Sequence, residues 1–253
     1  MGFYDLSKNE RQQAVEAIKA ALCEDLVEDS SLTSTITYFS DPDTYVRKAA
    51  YLSLSKLYFA FPKYRDTILK RLDGLMVHAD FRIRQTVINT AGEIGKKDFG
   101  SVMPIFDKGL LDGHHSPRNA VVGSIKKMGE VNPAPVLKWA RSYLHHQDKE
   151  IRREICHGIE LRGRKHPEDI LPLLKELQHD KTARVRNTLV HVIGQIAYKK
   201  GCLQKVLDHL RSWENQDLVE AALEEIIDVH ERYKTFAAMS QDEARKFIAT
   251  VFG

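Results

Sequence analysis

Histidines, carboxylates and cations are the side chains here that could do chemistry, and their spacing decides which kind. His114-His115, His145-His146, His157, His166, His179 and His191 are possible metal ligands. The adjacent pairs fall in loop stretches, where neighbouring side chains point apart, and no pair at i, i+4 shares a helix face with a carboxylate. No metal site and no cofactor is therefore expected. Cys23, Cys156 and Cys202 are odd in number and widely spaced, which suits neither a disulfide framework nor zinc, so they read as free thiols. A phosphate-cradling glycine loop, a serine elbow and a local Cys–His arrangement are all missing from the sequence. What remains is binding chemistry. Lys126, Lys127, Arg153, Arg162, Arg164, Lys165, Arg184, Lys199 and Lys200 are cations with no evident structural duty, and cations can contact phosphates.

The elements that position these residues come from an internal repeat. Val46-Arg47-Lys48-Ala49-Ala50, Ile83-Arg84-Gln85-Thr86-Val87, Pro117-Arg118-Asn119-Ala120-Val121, Ile151-Arg152-Arg153-Glu154-Ile155 and Val185-Arg186-Asn187-Thr188-Leu189 superpose without gaps, and Leu218-Val219-Glu220-Ala221-Ala222 is a sixth copy without the arginine. The arginines are spaced by 37 residues once and then by 34 three times, the period of a helix–turn–helix array. Asp43, Asp80, Ser116 and Asp148 stand where a second helix would be capped, and Pro42 and Pro117 suit a first turn. Gly95, Gly129 and Gly163 stand eleven residues past their arginines, where a left-handed glycine would end the helix. First helices are expected over Tyr64–Val77, Ser101–Leu111, Pro135–His146, Glu168–His179 and Leu203–Trp213; Ile170, Leu171, Leu173, Leu174 and Leu177 must bury one face of theirs. Helices over Lys8–Glu24 and Gln241–Phe252 would cap the stack. The expected fold is all-α: a right-handed α-solenoid of about six HEAT-like helical pairs with terminal capping helices, one domain over residues 1–253 with a period of about 34.

The entry Asp-x-x-Val-Arg, as Asp43 to Arg47, Asp80 to Arg84 and Asp148 to Arg152, resembles HEAT repeats; tetratricopeptide markers are missing. Between Ile151 and Trp213 the resemblance narrows. Ile151-Arg152-Arg153, Pro167-Glu168-Asp169-Ile170-Leu171-Pro172-Leu173-Leu174, Val185-Arg186-Asn187, Ile196-Ala197 and Leu210-Arg211-Ser212-Trp213 look like the bacterial HEAT-like-repeat DNA glycosylases of the AlkC/AlkD type. That resemblance implies a concave face holding duplex DNA, and a role in DNA repair. The chain departs from the family where the carboxylate should stand. Gly194-Gln195 replaces asparagine-aspartate, His157-Gly158 replaces glutamate-glycine, and the spacing from Trp139 ends on Tyr143. None of these supplies the fixed negative charge that would stabilise a developing sugar cation. Glu154 and Glu160 are the carboxylates that could take the role.

Charge distribution bears on the same question. The net charge of +3 identifies nothing by itself. The expected second helices each sum to +2 over 43–60, 80–97, 114–130 and 148–165 and to +5 over 181–200, while 216–234 is acidic. A basic concave track would bind DNA through phosphates with strong salt dependence. The repeat arginines themselves are expected to be structural, pairing with a carboxylate or helix end of their own or the next repeat. His157 and His191 lie on second helices about one repeat apart, a spacing that could make them neighbours in the groove, against the alternative of ordinary core or surface histidines. The alternative partner is a protein, which HEAT-like arrays also bind, met by the acidic last repeat or by an aromatic ridge of Tyr45, Tyr51, Tyr58, Phe59 and Phe61. With no apolar run long enough to span a membrane and no leader-like layout over residues 1–10, a cytoplasmic monomer is expected.

Overall fold

The computed structural model describes residues 2–28 and 32–253; Met1, at the start of the stretch read for a leader, lies outside them. The described residues are helical throughout, without a strand. They form two compact units, residues 1–124 and 125–253.

In the first unit, α1 (Lys8–Val27), α2 (Thr33–Ser40), α3 (Thr44–Ala60), α4 (Arg65–Leu75), α5 (Phe81–Gly95) and α6 (Phe99–Leu110) lead into α7 (His115–Val131), within which the division falls. The second unit continues with α8 (Pro133–Arg141), α9 (Lys149–Gly158), α10 (Glu160–Gly163), α11 (Pro167–Lys175), α12 (Ala183–Ala197), α13 (Leu203–Leu210), α14 (Gln216–Arg232) and α15 (Gln241–Phe252). Like packs on like one period apart: second helices α3 on α5, α9 on α12 and α12 on α14, first helices α4 on α6 and α11 on α13. This is HEAT-like stacking. Helix α2, the first helix of the first pair, is not among the expected ones; its run Thr-Ser-Thr-Ile-Thr-Tyr-Phe-Ser is rich in β-branched residues, and packing against α1, α3 and α5 holds it helical.

The caps follow local chemistry. Asp43, Asp80 and Asp148 each accept the backbone N–H two residues on, at 2.8 Å, satisfying one orphan donor apiece. Ser116 is not a cap. Helix α7 begins at His115, and Nδ1 of His114 accepts the Ser116 N–H at 3.1 Å; His78 and His146 do the same for Asp80 and Asp148. His78, His114 and His146 thus serve as turn acceptors. The glycines also act differently from expectation: Gly201, at φ +76°, is the described glycine with a positive φ, so Gly95, Gly129 and Gly163 are not left-handed caps. Gly163 is there for closeness, since a Cβ would fall 2.5 Å from Cδ1 of Ile196 on α12.

On α11 and the turn after it Ile170, Leu171, Leu173, Leu174 and Leu177 are all buried, α11 packing on α10 and α13, and α12 buries Val185, Leu189, Val192, Ile193 and Ile196 among its neighbours α9, α10, α13 and α14. Each such side chain contributes about 1.5–3 kcal/mol by leaving water. Tyr58 also belongs to the core, 1% exposed, with its hydroxyl donating to Asp98 at 2.7 Å. The aromatic ridge is therefore reduced on its outer side to Tyr45 and Phe61, with Tyr51 and Phe59 half-buried.

Candidate functional site

The repeat arginines are structural. In all five, Nη1 donates to the carbonyl six residues earlier, at the end of the preceding turn: Arg47 to Asp41, Arg84 to His78 at 2.6 Å, Arg118 to Asp112 at 2.5 Å, Arg152 to His146 at 2.7 Å and Arg186 to Asp180 at 2.6 Å. Arg84 and Arg152 also grip, bidentately, an aspartate 28 residues on, Asp112 and Asp180. A planar guanidinium can hold a carboxylate with two parallel N–H bonds while a further N–H reaches a carbonyl; an ammonium, a compact point donor, cannot make the parallel pair. Burial pushes the Asp180 carboxyl up; its hydrogen bonds from Arg152 and the Thr182 backbone outweigh that and leave it below the ordinary aspartate value.

The nine off-register cations divide into two groups, all in the second unit. Six are engaged by carboxylates of that unit. Arg153 Nε donates to Glu150 at 2.9 Å and its Nη2 stands 3.6 Å from Glu154, while Arg184 reaches the other oxygen of Glu150 at 3.4 Å. Arg162 donates to Asp169 at 2.8 Å and Lys165 to Glu130 at 2.8 Å. Lys126 donates to Glu160 at 3.1 Å, and Arg164 Nη2 donates to the other oxygen of the same carboxylate. Lys127, Lys199 and Lys200 have no carboxylate partner among the described residues; Lys199 Nζ lies 4.3 Å from the centroid of the Tyr198 ring, a cation–π contact.

Glu160 is the centre of a polar cluster formed with Lys126, His157 and Arg164. A break at Ile159 separates α9 from α10 and puts Glu160 at the start of the shorter helix. Burial, with 2% of the residue exposed, pushes its carboxyl up, and the His157 contact and the charges of Lys126 and Arg164 overcome this and hold it at about 2. Arg164 also donates to Gln195 at 2.8 Å, so Gln195 shares a guanidinium with Glu160. His157 and His191 meet, ring centroids 6.1 Å apart. Beside them a cleft of about 420 Å³ is lined by Arg153, His157, Arg184, Asn187, Thr188 and His191. Glu154 is 3% exposed and Trp139 6%, so both are packing residues rather than lining ones.

On the far side of α12, α14 carries six carboxylates against one arginine. Asp217, Glu220, Glu224, Asp228 and Glu231 are exposed, spaced by three or four residues along one stripe. Between α12 and α14 lies a second cleft of about 410 Å³, reached by Arg186, Asn187, Asn215 and Asp217. Among the described residues no helix is long and apolar enough to cross a membrane.

By architecture the chain is a HEAT-like helical-repeat protein. No protein-family model and no curated protein matches it. Similar solved structures include a designed armadillo repeat protein, 18% identical over 78% of this chain and 100% of that one with a TM-score of 0.36. The YibA protein of E. coli is 16% identical over 88% of each chain, TM-score 0.39. A chain from the complex of CpcE and CpcF of phycocyanin lyase from a Nostoc species is 14% identical over 99% of this chain and 93% of that one, TM-score 0.34.

Proposed function

We propose that this chain is a protein-binding HEAT-like scaffold whose partner lies along the second helices α9, α12 and α14. The observation that carries this reading is the pairing of six of the nine off-register cations with carboxylates of the same unit. A cation already neutralised by a neighbour contributes little to counterion release, the main source of affinity for a polyanion. The acidic stripe of α14, packed directly beside α12, repels phosphates and would steer a basic surface of a protein. A mixed-sign face with half-buried apolar positions such as Val190, Ala221 and Ile227 has the make-up of a non-obligate protein interface.

A second reading, DNA binding, is favoured by Lys127, Lys199 and Lys200, whose charges no carboxylate meets among the described residues. Base excision gains no support from the site: both oxygens of Glu160 are engaged by cations, and Glu160 and Glu154 are 2% and 3% exposed. The test is affinity capture from native lysate with the wild-type chain and with Glu220→Lys, Glu224→Lys, Asp228→Lys in one variant. The scaffold reading expects a discrete partner retained by the wild type and lost by the variant; equal capture by both would remove α14 from the interface.

A further inference from the structure

The geometry points to a divalent transition-metal site formed by His157, Glu160 and His191, at a position that the Lys126 ammonium holds in the metal-free chain. The three side chains come from α9, the first residue of α10 and α12, and offer one ligand atom each, all within 4.8 Å of one another. Two imidazoles and one carboxylate form a donor set suited to zinc. A tetrahedral ion bound at 2.0–2.2 Å requires donors about 3.3 Å apart, so the cluster must close by about 1.5 Å. His157 Nε2 and Glu160 Oε2 are already at 3.2 Å, and the closure falls to His191, whose side chain is 42% exposed and can turn.

Three further observations favour a cation there. Nζ of Lys126 lies 2.9 Å from His157 Nε2 and 3.1 Å from Glu160 Oε2; an ammonium has only donors, so in the tautomer that leaves His157 Nε2 unprotonated both lone pairs point at one positive centre. Glu225 lies 3.5 Å from Nδ1 of His191, the carboxylate-behind-histidine arrangement that orients a ligand and leaves Nε2 for the ion. The cleft lined by Arg153, Thr188 and both histidines gives a fourth ligand, water or a partner's side chain, direct access. Arg164 keeps the other Glu160 oxygen, which restricts the carboxylate to one bond. The opposing term is Lys126 itself: an ion and an ammonium cannot share the position, and the lysine, with 24% of its side chain exposed, must swing outward. The inference is independent of which macromolecule the chain binds.

The experiment is calorimetric titration of untagged protein with Zn(II), and with Co(II) followed by its visible absorption. Four variants are compared with wild type: His157→Gln, His191→Ala, Lys126→Ala, and as control His145→Ala with His146→Ala, each checked for helicity by circular dichroism. The expected result is one equivalent bound with a four-coordinate Co(II) spectrum, weakened at least tenfold by His157→Gln and His191→Ala, untouched by the control and tightened at least tenfold by Lys126→Ala. A purely structural cluster cannot give tightening on loss of a cation. Absence of stoichiometric binding in both wild type and Lys126→Ala, binding that survives either histidine change, or an affinity unmoved by Lys126→Ala would each overturn it.

Discussion

Arg152 on α9 reaches Asp180, 28 residues further on, with Nε 2.6 Å from one carboxylate oxygen and Nη2 3.0 Å from the other, while its Nη1 holds the His146 carbonyl at 2.7 Å. One guanidinium thereby ties the turn before its own helix to the turn before the next second helix, α12. Arg84 and Asp112 repeat the device in the first unit.

Because the Arg152 and Asp180 side chains are only 14% and 5% exposed, Arg152→Ala leaves a carboxylate buried without its counter-charge. We expect a loss of about 3–5 kcal/mol, read by chemical denaturation, and Arg152→Lys to recover less than half of it because a lysine cannot make the bidentate contact. A loss below about 0.5 kcal/mol would show that the clamp carries no stability.

The same pair sets a pH dependence. Asp180 titrates lower in the folded chain than its ordinary 3.8, so the folded state binds fewer protons than the unfolded one. Its contribution is complete above about 3.8 and is lost as the pH falls through the lower folded value. Denaturation measured from neutral pH downward should therefore show Asp180→Asn less stable near pH 7 and with a flatter slope below about pH 4; parallel curves for the two proteins would contradict this.

Glycine substitutions separate packing from propensity. In Gly163→Ala the new methyl would stand 2.5 and 2.8 Å from two carbons of Ile196, and overpacking of this kind costs about 1–3 kcal/mol. Gly123, inside α7 with nothing within 4 Å of the place a methyl would take, should instead gain about 0.5–1 kcal/mol as alanine through helix propensity. Melting temperatures of the two variants must move in opposite directions.

Much of this is legible in the sequence, for identifiable reasons. The repeat, the aspartate caps and the buried stripe of α11 follow from local pattern, and the period makes the neighbouring of His157 and His191 possible. The targets of the arginine clamps are not legible, because a carbonyl six residues back and an aspartate 28 residues on belong to turns with no motif of their own. Nor is the pairing of Lys126, Arg162, Lys165 and Arg184: summing charge along a helix does not show which carboxylate a neighbouring helix brings up, as Glu160 to Lys126 and Glu130 to Lys165. Arg153 with Glu150 and Arg164 with Glu160, three and four residues apart, are pairs that helical spacing alone suggests. Helix α2 escapes because its tertiary neighbours, not its propensity, make it helical. The role of Gly163 escapes for a similar reason: its constraint is the approach of Ile196, a contact one repeat away.

Six of the nine off-register cations are held by the chain's own carboxylates, and the partner proposed for the face they border is a protein. The decisive measurement is fluorescence-anisotropy titration with duplex, branched and abasic DNA at two salt concentrations, using wild type and the triple change Arg184→Glu, Lys199→Glu, Lys200→Glu. The expected result is no binding steep in salt and no difference between the proteins; salt-sensitive binding by the wild type that the triple change abolishes would overturn the protein-partner reading in favour of DNA.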